Sequence, residues 1–274
     1  MLPYLFGLIS ATFFGISNVY WKTAGKFISF SNIVFFRGII ATTCFAITWF
    51  IIANSNNNTS LTINTEATFL QYIKTILLCL ICSLGLVFYL LSLKYSPVSI
   101  SVPLSSINIF SILTAVFILG ETFKTIYFAS FTLALAGILL SQSFKMETTY
   151  ALFKFSASWI GAIPLAFILE CCVTITAFVW MIFSKSVPSK KNEYLSAKNI
   201  KHYFILATLL VGGTLFFNLA IQQIPVLVIN ILGNFTLIVS VSAGILFYKE
   251  RLTIKQLAGI GLVIVSIALV QYSK

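Results

Sequence analysis

The charged residues that lie inside apolar segments are the first candidates for chemistry in this sequence. All six acidic residues are glutamates, and Glu170 lies well inside one apolar run. Arg37 lies inside another run. An ionisable group at membrane depth is costly unless it is paired or reaches water. Three roles for Glu170 therefore stay open: proton coupling during transport, a structural pair with Arg37, or an interfacial position. For Arg37 the structural role is favoured, with its head group snorkelling toward an interface.

Two other glutamates occupy equivalent junctions between apolar runs. Glu121 follows "FILG" and Glu250 follows "FYK", and the two positions are 129 residues apart. A carboxylate just before a helix accepts hydrogen bonds from free backbone N–H groups and complements the positive end of the helix dipole. We therefore interpret both residues as structural junction residues rather than substrate contacts.

Enzymatic chemistry has little support in the sequence. The chain has one histidine, His202, and no aspartate, and it lacks a nucleophile–base set, a metal-binding motif and a Walker motif. The five cysteines all lie within apolar runs and are interpreted as small buried residues. We predict no enzymatic activity, no metal site and no cofactor.

Polar and aromatic side chains within the apolar runs form a second group of candidates. Buried amides in lipid need partners, so they face protein or water rather than acyl chains. Each is either an interhelical hydrogen bond or a substrate contact. Asn230 and Asn234 are four residues apart and so share one helix face. The candidates for substrate binding are Asn18, Trp21, Tyr89, Ser105, Asn108, Asn218, Gln222, Asn230 and Asn234.

Composition determines the class of protein that positions these residues. The 274-residue chain is 59% hydrophobic and 8% charged, and its mean hydropathy is +1.03. A soluble domain carries about 25% charged residues, so this chain is predicted to be a polytopic membrane protein. The net charge of +11 comes mostly from basic residues between the apolar runs. That pattern indicates the positive-inside rule rather than binding to nucleic acid.

The apolar runs predict an all-α membrane bundle. A run of about 20 residues can cross a bilayer as a helix, in which every backbone polar group is satisfied. Most runs are joined by only a few residues. The nine clear runs are about 3–22, 30–53, 71–93, 97–119, 124–142, 159–183, 203–222, 225–247 and 253–271.

The two halves of the chain repeat each other. The segment "FYLLSLKYSPVSISVPLSSINIF" at 88–110 aligns with "FNLAIQQIPVLVINILGNFTLIV" at 217–239. Each opens with an aromatic residue, turns at a proline and continues into a run that ends at Glu121 or Glu250. Tyr89 and Asn218 are equivalent in this alignment, and in the earlier part of each half Lys22 maps near Lys154 and Arg37 maps near Glu170. We predict a first repeat at 1–142 and a second at 146–274.

The motifs "YLLSLKYSP", "GETF" and "AGILL", with "KERL" in the second half, carry a family resemblance. Over nearly its whole length the chain resembles the drug/metabolite transporter superfamily and its EamA-like domain. This resemblance implies ten transmembrane helices in two five-helix repeats of inverted topology. It also implies a central cavity that opens alternately to the two sides.

The chain departs from the ten-helix pattern at the sixth helix. Only 12 residues separate Gln142 from Lys154, which is about 18 Å of helix against a core of about 30 Å. Three explanations stay open: a stub at 146–158 that dips into the membrane, a nine-helix variant, or a wrong segment count. Charge bias places the N-terminus outside. It also needs one more crossing between Lys145 and Lys185 than the runs supply.

The function predicted from these observations is transport of small metabolites by alternating access. The solutes expected are amino-acid-like or other small polar or amphipathic molecules, moved by export or exchange. The alternative is a membrane subunit or sensor that derives from a transporter and does not transport. The predicted partners are a small-molecule substrate and the lipid bilayer, without nucleic acid; a homodimer stays open. The expected location is the inner membrane of a bacterium.

Overall fold

A computed structural model describes residues 2–54, 67–95, 132, 149–184, 196–249 and 254–272. All regular structure within these ranges is α-helical. The helices are α1 (Leu2–Ala24), α2 (Phe30–Asn54), α3 (Phe69–Tyr95), α4 (Thr149–Ile160), α5 (Ala162–Phe183), α6 (Ala197–Ile221), α7 (Val226–Gly233), α8 (Phe235–Tyr248) and α9 (Ile254–Tyr272).

Six segments in the described part of the chain are long and apolar enough to cross a membrane. They have 21 to 25 residues each, which is about 32 to 38 Å of helix. They coincide with six of the nine predicted runs. The runs at 97–119 and 124–142 lie outside the described residues, and the run at 253–271 forms α9. The six spans are Leu2–Ala24, Phe30–Asn54, Phe69–Leu91, Ala162–Phe183, Asn199–Ile221 and Val228–Tyr248.

The predicted run at 159–183 is wrong as a single helix, because the chain breaks at Gly161. This residue has φ 91° and ψ 160°, a combination essentially restricted to glycine. Helix α4 ends just before it and α5 begins just after it. Helix α4 covers most of the predicted stub at 146–158 and continues to Ile160.

The predicted run at 225–247 is also interrupted, at Asn234. Helix α7 ends before this residue and α8 begins after it. The Asn234 N–H donates to the carbonyl oxygens of Asn230 and Ile231, each at 3.2 Å. The turn is therefore tighter than a regular α-helical turn, so α7 and α8 form one span with a local irregularity.

The chain divides into two compact units. The first unit contains residues 2–19, 132, 149–155, 219–249 and 254–272, and the second contains residues 20–54, 67–95, 156–184 and 196–218. Each unit draws helices from both halves of the sequence.

In the first unit, α1 runs parallel to α7 and α8. Gly7 of α1 lies against Leu232, and the Tyr248 hydroxyl donates to the Val19 carbonyl oxygen at 3.3 Å. Between these contacts, a Cβ added to Gly15 would lie 2.6 Å from Val239 Cβ. The two helices therefore approach closely because position 15 lacks a side chain.

In the second unit, α5 packs between α2 and α3. It runs antiparallel to α2, with Phe178 beside Phe35 and Phe167 beside Trp49. It runs parallel to α3, with Cys172 near the Ile76 carbonyl and Thr176 near Ser83. The antiparallel packing of α5 on α2 and its parallel packing on α3 determine which side chains of these helices come into contact.

Candidate functional site

Arg37 and Glu170 form an ion pair inside the second unit. Arg37 Nη1 donates to Glu170 Oε2 at 2.6 Å, and the two side chains are 2% and 5% exposed. The guanidinium carbon of Arg37 lies 5.8 Å from the centre of the Trp21 ring. A buried ion pair with a cation–π contact keeps both charges compensated away from water. The sequence left three roles open for Glu170, and one of them was a structural pair with Arg37. The structure shows this contact.

Threonine hydroxyls and a glycine surround the ion pair. Thr174 Oγ1 donates to the Glu170 carbonyl oxygen at 2.7 Å and lies 3.4 Å from Thr42 Oγ1. Gly38 faces Thr174 across the helix pair, so α2 and α5 approach closely at this level. Within the described residues, Arg37 Nε has no hydrogen-bond partner.

Two polar contacts between α2 and α5 join positions with nearly the same separation in the sequence. Arg37 and Glu170 are 133 residues apart, and Thr42 and Thr174 are 132 residues apart. The predicted repeat gives a similar offset here, since Lys22 aligns with Lys154. These two contacts across the antiparallel helix pair therefore have nearly the offset that the predicted repeat gives.

The first unit holds a set of buried and half-buried uncharged polar side chains. Asn18 Nδ2 donates to Ser240 Oγ at 3.4 Å, and Ser240 Oγ donates to the Gly15 carbonyl oxygen at 3.1 Å. These bonds tie α1 to α8. Asn230 and Asn234 lie nearby in sequence and are 4% and 7% exposed. Neither Nδ2 nor Oδ1 of Asn230 has a hydrogen-bond partner among the described residues.

The remaining predicted substrate contacts divide into three cases. Asn218 is 3% exposed and donates through Nδ2 to the Ala162 carbonyl oxygen at 3.0 Å, so its amide joins α6 to α5. Tyr89 on α3 and Gln222 after α6 are half-buried. The other predicted site and junction residues lie outside the described part of the chain: Ser105, Asn108, Glu121 and Glu250.

The sequence was then compared with known protein families. The sequence model of the EamA-like transporter family matches residues 1–142 and 148–272. The chain belongs to the EamA-like transporter family. No curated protein matches it. Family membership indicates a membrane transporter of small solutes, and together with the apolar helices it makes the chain an integral membrane protein.

Sequence reasoning missed two contacts in this EamA-like transporter. The Tyr20 hydroxyl lies 2.8 Å from His202 Nδ1, and the His202 ring stacks on Phe27 with centroids 5.8 Å apart. In the same unit, Ser83 Oγ lies 2.6 Å from Thr176 Oγ1. The single histidine of the chain was the one signal for the first contact. A serine and a threonine within apolar runs gave no signal for the second.

No metal centre is formed by the residues that the structure describes, since no three His, Cys, Asp or Glu side chains are placed to hold an ion. Among the described residues, the second unit holds the Arg37–Glu170 ion pair, and the first holds buried amides and hydroxyls together with Lys154, which donates to the Ile224 carbonyl oxygen.

Proposed function

We propose that the protein moves small polar or amphipathic metabolites across the membrane by alternating access between two inverted repeats. The observation that carries the proposal is the contact between α2 and α5. Helices at equivalent positions of two inverted repeats run in opposite directions, and α2 and α5 are antiparallel. Their contacts join nearly equivalent residues, Arg37 with Glu170 and Thr42 with Thr174.

The helix directions in the second unit support ten crossings. Helices α3 and α5 run parallel, with Ile76 near Cys172 and Ser83 near Thr176. Two parallel spans of one chain need an odd number of crossings between them. The sequence predicts two, at 97–119 and 124–142. A third crossing that includes α4 accounts for the direction of α5, which disfavours the nine-helix variant.

The first unit supports the same count independently. Helix α1 runs parallel to α8, since Gly7 lies against Leu232 and Val19 lies near Tyr248. An odd number of crossings is again needed between the two. With α4 included in a crossing there are seven, and without it there are six. The ten-helix topology agrees with both units.

The distribution of basic residues then orients the chain. In a ten-crossing topology, four basic residues lie on the side of the N-terminus: Lys74, Lys124, Lys154 and Lys274. Twelve lie on the opposite side: Lys22, Lys26, Lys94, Lys145, Lys185, Lys190, Lys191, Lys198, Lys201, Lys249, Arg251 and Lys255. By the positive-inside rule the richer side is cytoplasmic and both termini are outside. This asymmetry is consistent with the inner membrane of a bacterium.

We assign different roles to the polar residues within the membrane. Glu170 is paired with Arg37, which favours a structural role over proton coupling. The amides of Asn18 and Asn218 already hold helices together. We assign substrate recognition to Asn230 and Asn234. A substrate-binding role stays a prediction for five further residues: Trp21, Tyr89, Ser105, Asn108 and Gln222. An uncharged set of this kind suits solutes that bind through hydrogen bonds, such as small neutral polar molecules.

The proposal is tested by counterflow in proteoliposomes loaded with a panel of unlabelled amino acids, nucleobases and amides. Uptake of the matching labelled solute is expected to exceed that of protein-free liposomes for at least one member. Protein that has been unfolded and reconstituted in parallel is the control for leakage. If the folded protein gives no exchange with any member, the alternative of a non-transporting subunit or sensor is favoured.

A further inference from the structure

Asn230 is an unusual buried residue because both polar atoms of its amide are unused. The side chain is 4% exposed, and neither Nδ2 nor Oδ1 finds a partner in the described part of the chain. A carboxamide offers two donor hydrogens and one acceptor oxygen. Burying these groups without partners costs free energy, more so in a medium of low dielectric constant. Both polar atoms of this amide are thus available to pair with a bound molecule.

The side chain of Asn230 does not belong to the contact between α1 and its neighbour. That contact uses Leu232, Thr236 and Val239, which lie against the glycines of α1. Asn230 is two residues from Leu232, which is about 200° around a helix. It shares its face with Asn234, Leu237 and Val241, all of them buried. The amide is therefore directed away from α1, next to a second carboxamide and two apolar side chains.

No buried side chain in the described part of the first unit carries a charge, and the half-buried Lys154 donates to the Ile224 carbonyl oxygen at 3.3 Å. The buried polar residues described in the first unit are uncharged: Ser10, Ser17, Asn230, Asn234 and Ser240. An anionic solute would need a cationic partner to replace its lost hydration. A neutral solute needs only matched hydrogen bonds. The helix is irregular at Asn234, which is four residues after Asn230 and lies on the same helix face.

We propose that the Asn230 carboxamide binds uncharged solutes that present a hydrogen-bond donor and an acceptor side by side, as in a primary amide or a nucleobase edge. This inference rests on the proposed transport function and names its substrate class. The pairing is bidentate: the solute N–H donates to Oδ1 while Nδ2 donates to the solute carbonyl oxygen. Asparagine pairs with the edge of adenine in the same two-point manner in protein–DNA complexes.

Matched probes test the pairing directly. Uracil and nicotinamide carry adjacent N–H and C=O groups, whereas 1,3-dimethyluracil and N,N-diethylnicotinamide keep the carbonyl and lose the N–H. Binding is measured as a ligand-induced shift in melting temperature of the full-length protein, and transport as counterflow in proteoliposomes. Uracil or nicotinamide is expected to raise the melting temperature and its alkylated partner is not.

Variants then assign the effect to one side chain. Asn230→Leu keeps the size of the residue and is expected to weaken the response by about tenfold or more. It is not expected to lower the stability of the ligand-free protein, because no hydrogen bond is lost. Gln223→Leu removes a carboxamide from an exposed position in the same unit and serves as the control. A full response in Asn230→Leu would overturn the inference.

Failure of the inference and failure of the transport proposal give different results. If other solutes exchange but the alkylated probes act as well as their parents, or no probe acts at all, transport stands and the substrate class is wrong. If the parent probes shift the melting temperature selectively without any exchange, the binding site stands and transport fails.

Discussion

Arg37 and Glu170 lie 2.6 Å apart, although 133 residues separate them in the chain. The pair joins α2 to α5 and is nearly inaccessible to solvent, with Trp21 over the guanidinium group. Ion pairs of this kind hold two helices in one register, because sliding either helix would leave both charges uncompensated in a dry interior. The pair is thus an anchor between the two halves of the sequence.

Removing one member of this pair is predicted to be strongly destabilising. Glu170→Leu leaves an uncompensated guanidinium group and is expected to cost about 3 to 5 kcal/mol in unfolding free energy. The double variant Arg37→Met/Glu170→Leu removes both charges and is expected to recover most of that loss. The unfolding free energies of the wild type, the single variant and the double variant are measured in mixed detergent micelles.

The same variants separate a structural anchor from a proton-coupling site. If Glu170 only anchors α5, the double variant transports, and its dependence on a proton gradient matches that of the wild type. A stable double variant that has lost gradient dependence would instead assign Glu170 to coupling.

Asn218 is predicted to act through stability rather than through substrate binding. Its amide donates to the Ala162 carbonyl oxygen, directly after the break at Gly161. Asn218→Leu removes this bond and is expected to cost about 0.6 kcal/mol, the average for interhelical hydrogen bonds in membranes, and at most about 2 kcal/mol. Thermal unfolding with and without a transported solute provides the measurement. An unchanged melting temperature combined with a lost solute response would contradict this assignment.

Gly15 is predicted to be a packing position of α1. An added methyl group at this residue would overlap the Val239 side chain and approach the Thr236 carbonyl oxygen to 3.1 Å. Gly15→Ala is therefore expected to cost about 1 to 3 kcal/mol through overpacking. Gly85→Ala is the matched control, since an added Cβ there meets nothing within 4 Å. Equal melting temperatures of the two variants would contradict the close packing of α1 against α8.

Sequence reasoning anticipated the six described spans, because hydropathy and length alone dictate them in a membrane. It also brought Arg37 and Glu170 to equivalent positions of the repeat, which left their contact as one alternative. It missed the break at Gly161, because a glycine in an apolar run does not reveal whether its φ is positive. The interruption at Asn234 was missed for a related reason, since it depends on local backbone geometry.

The site was harder to predict than the spans. The sequence could not distinguish Asn218 from Asn230, although one amide is paired and the other is not. The partner of Asn218 is a backbone carbonyl, and every residue carries one. Which carbonyl faces an amide is decided by helix packing, so residue type alone gives no signal.

The central claim is that two inverted repeats make ten crossings, and single-cysteine mapping tests it most directly. In a background without the five native cysteines, one cysteine is placed at Lys26, Lys145, Lys190 or Lys274 and labelled in intact cells with an impermeant maleimide. Positions 26, 145 and 190 are predicted to be protected until the membrane is opened, and position 274 is predicted to label at once. Labelling of 145 and 190 from opposite sides would contradict the ten-crossing account.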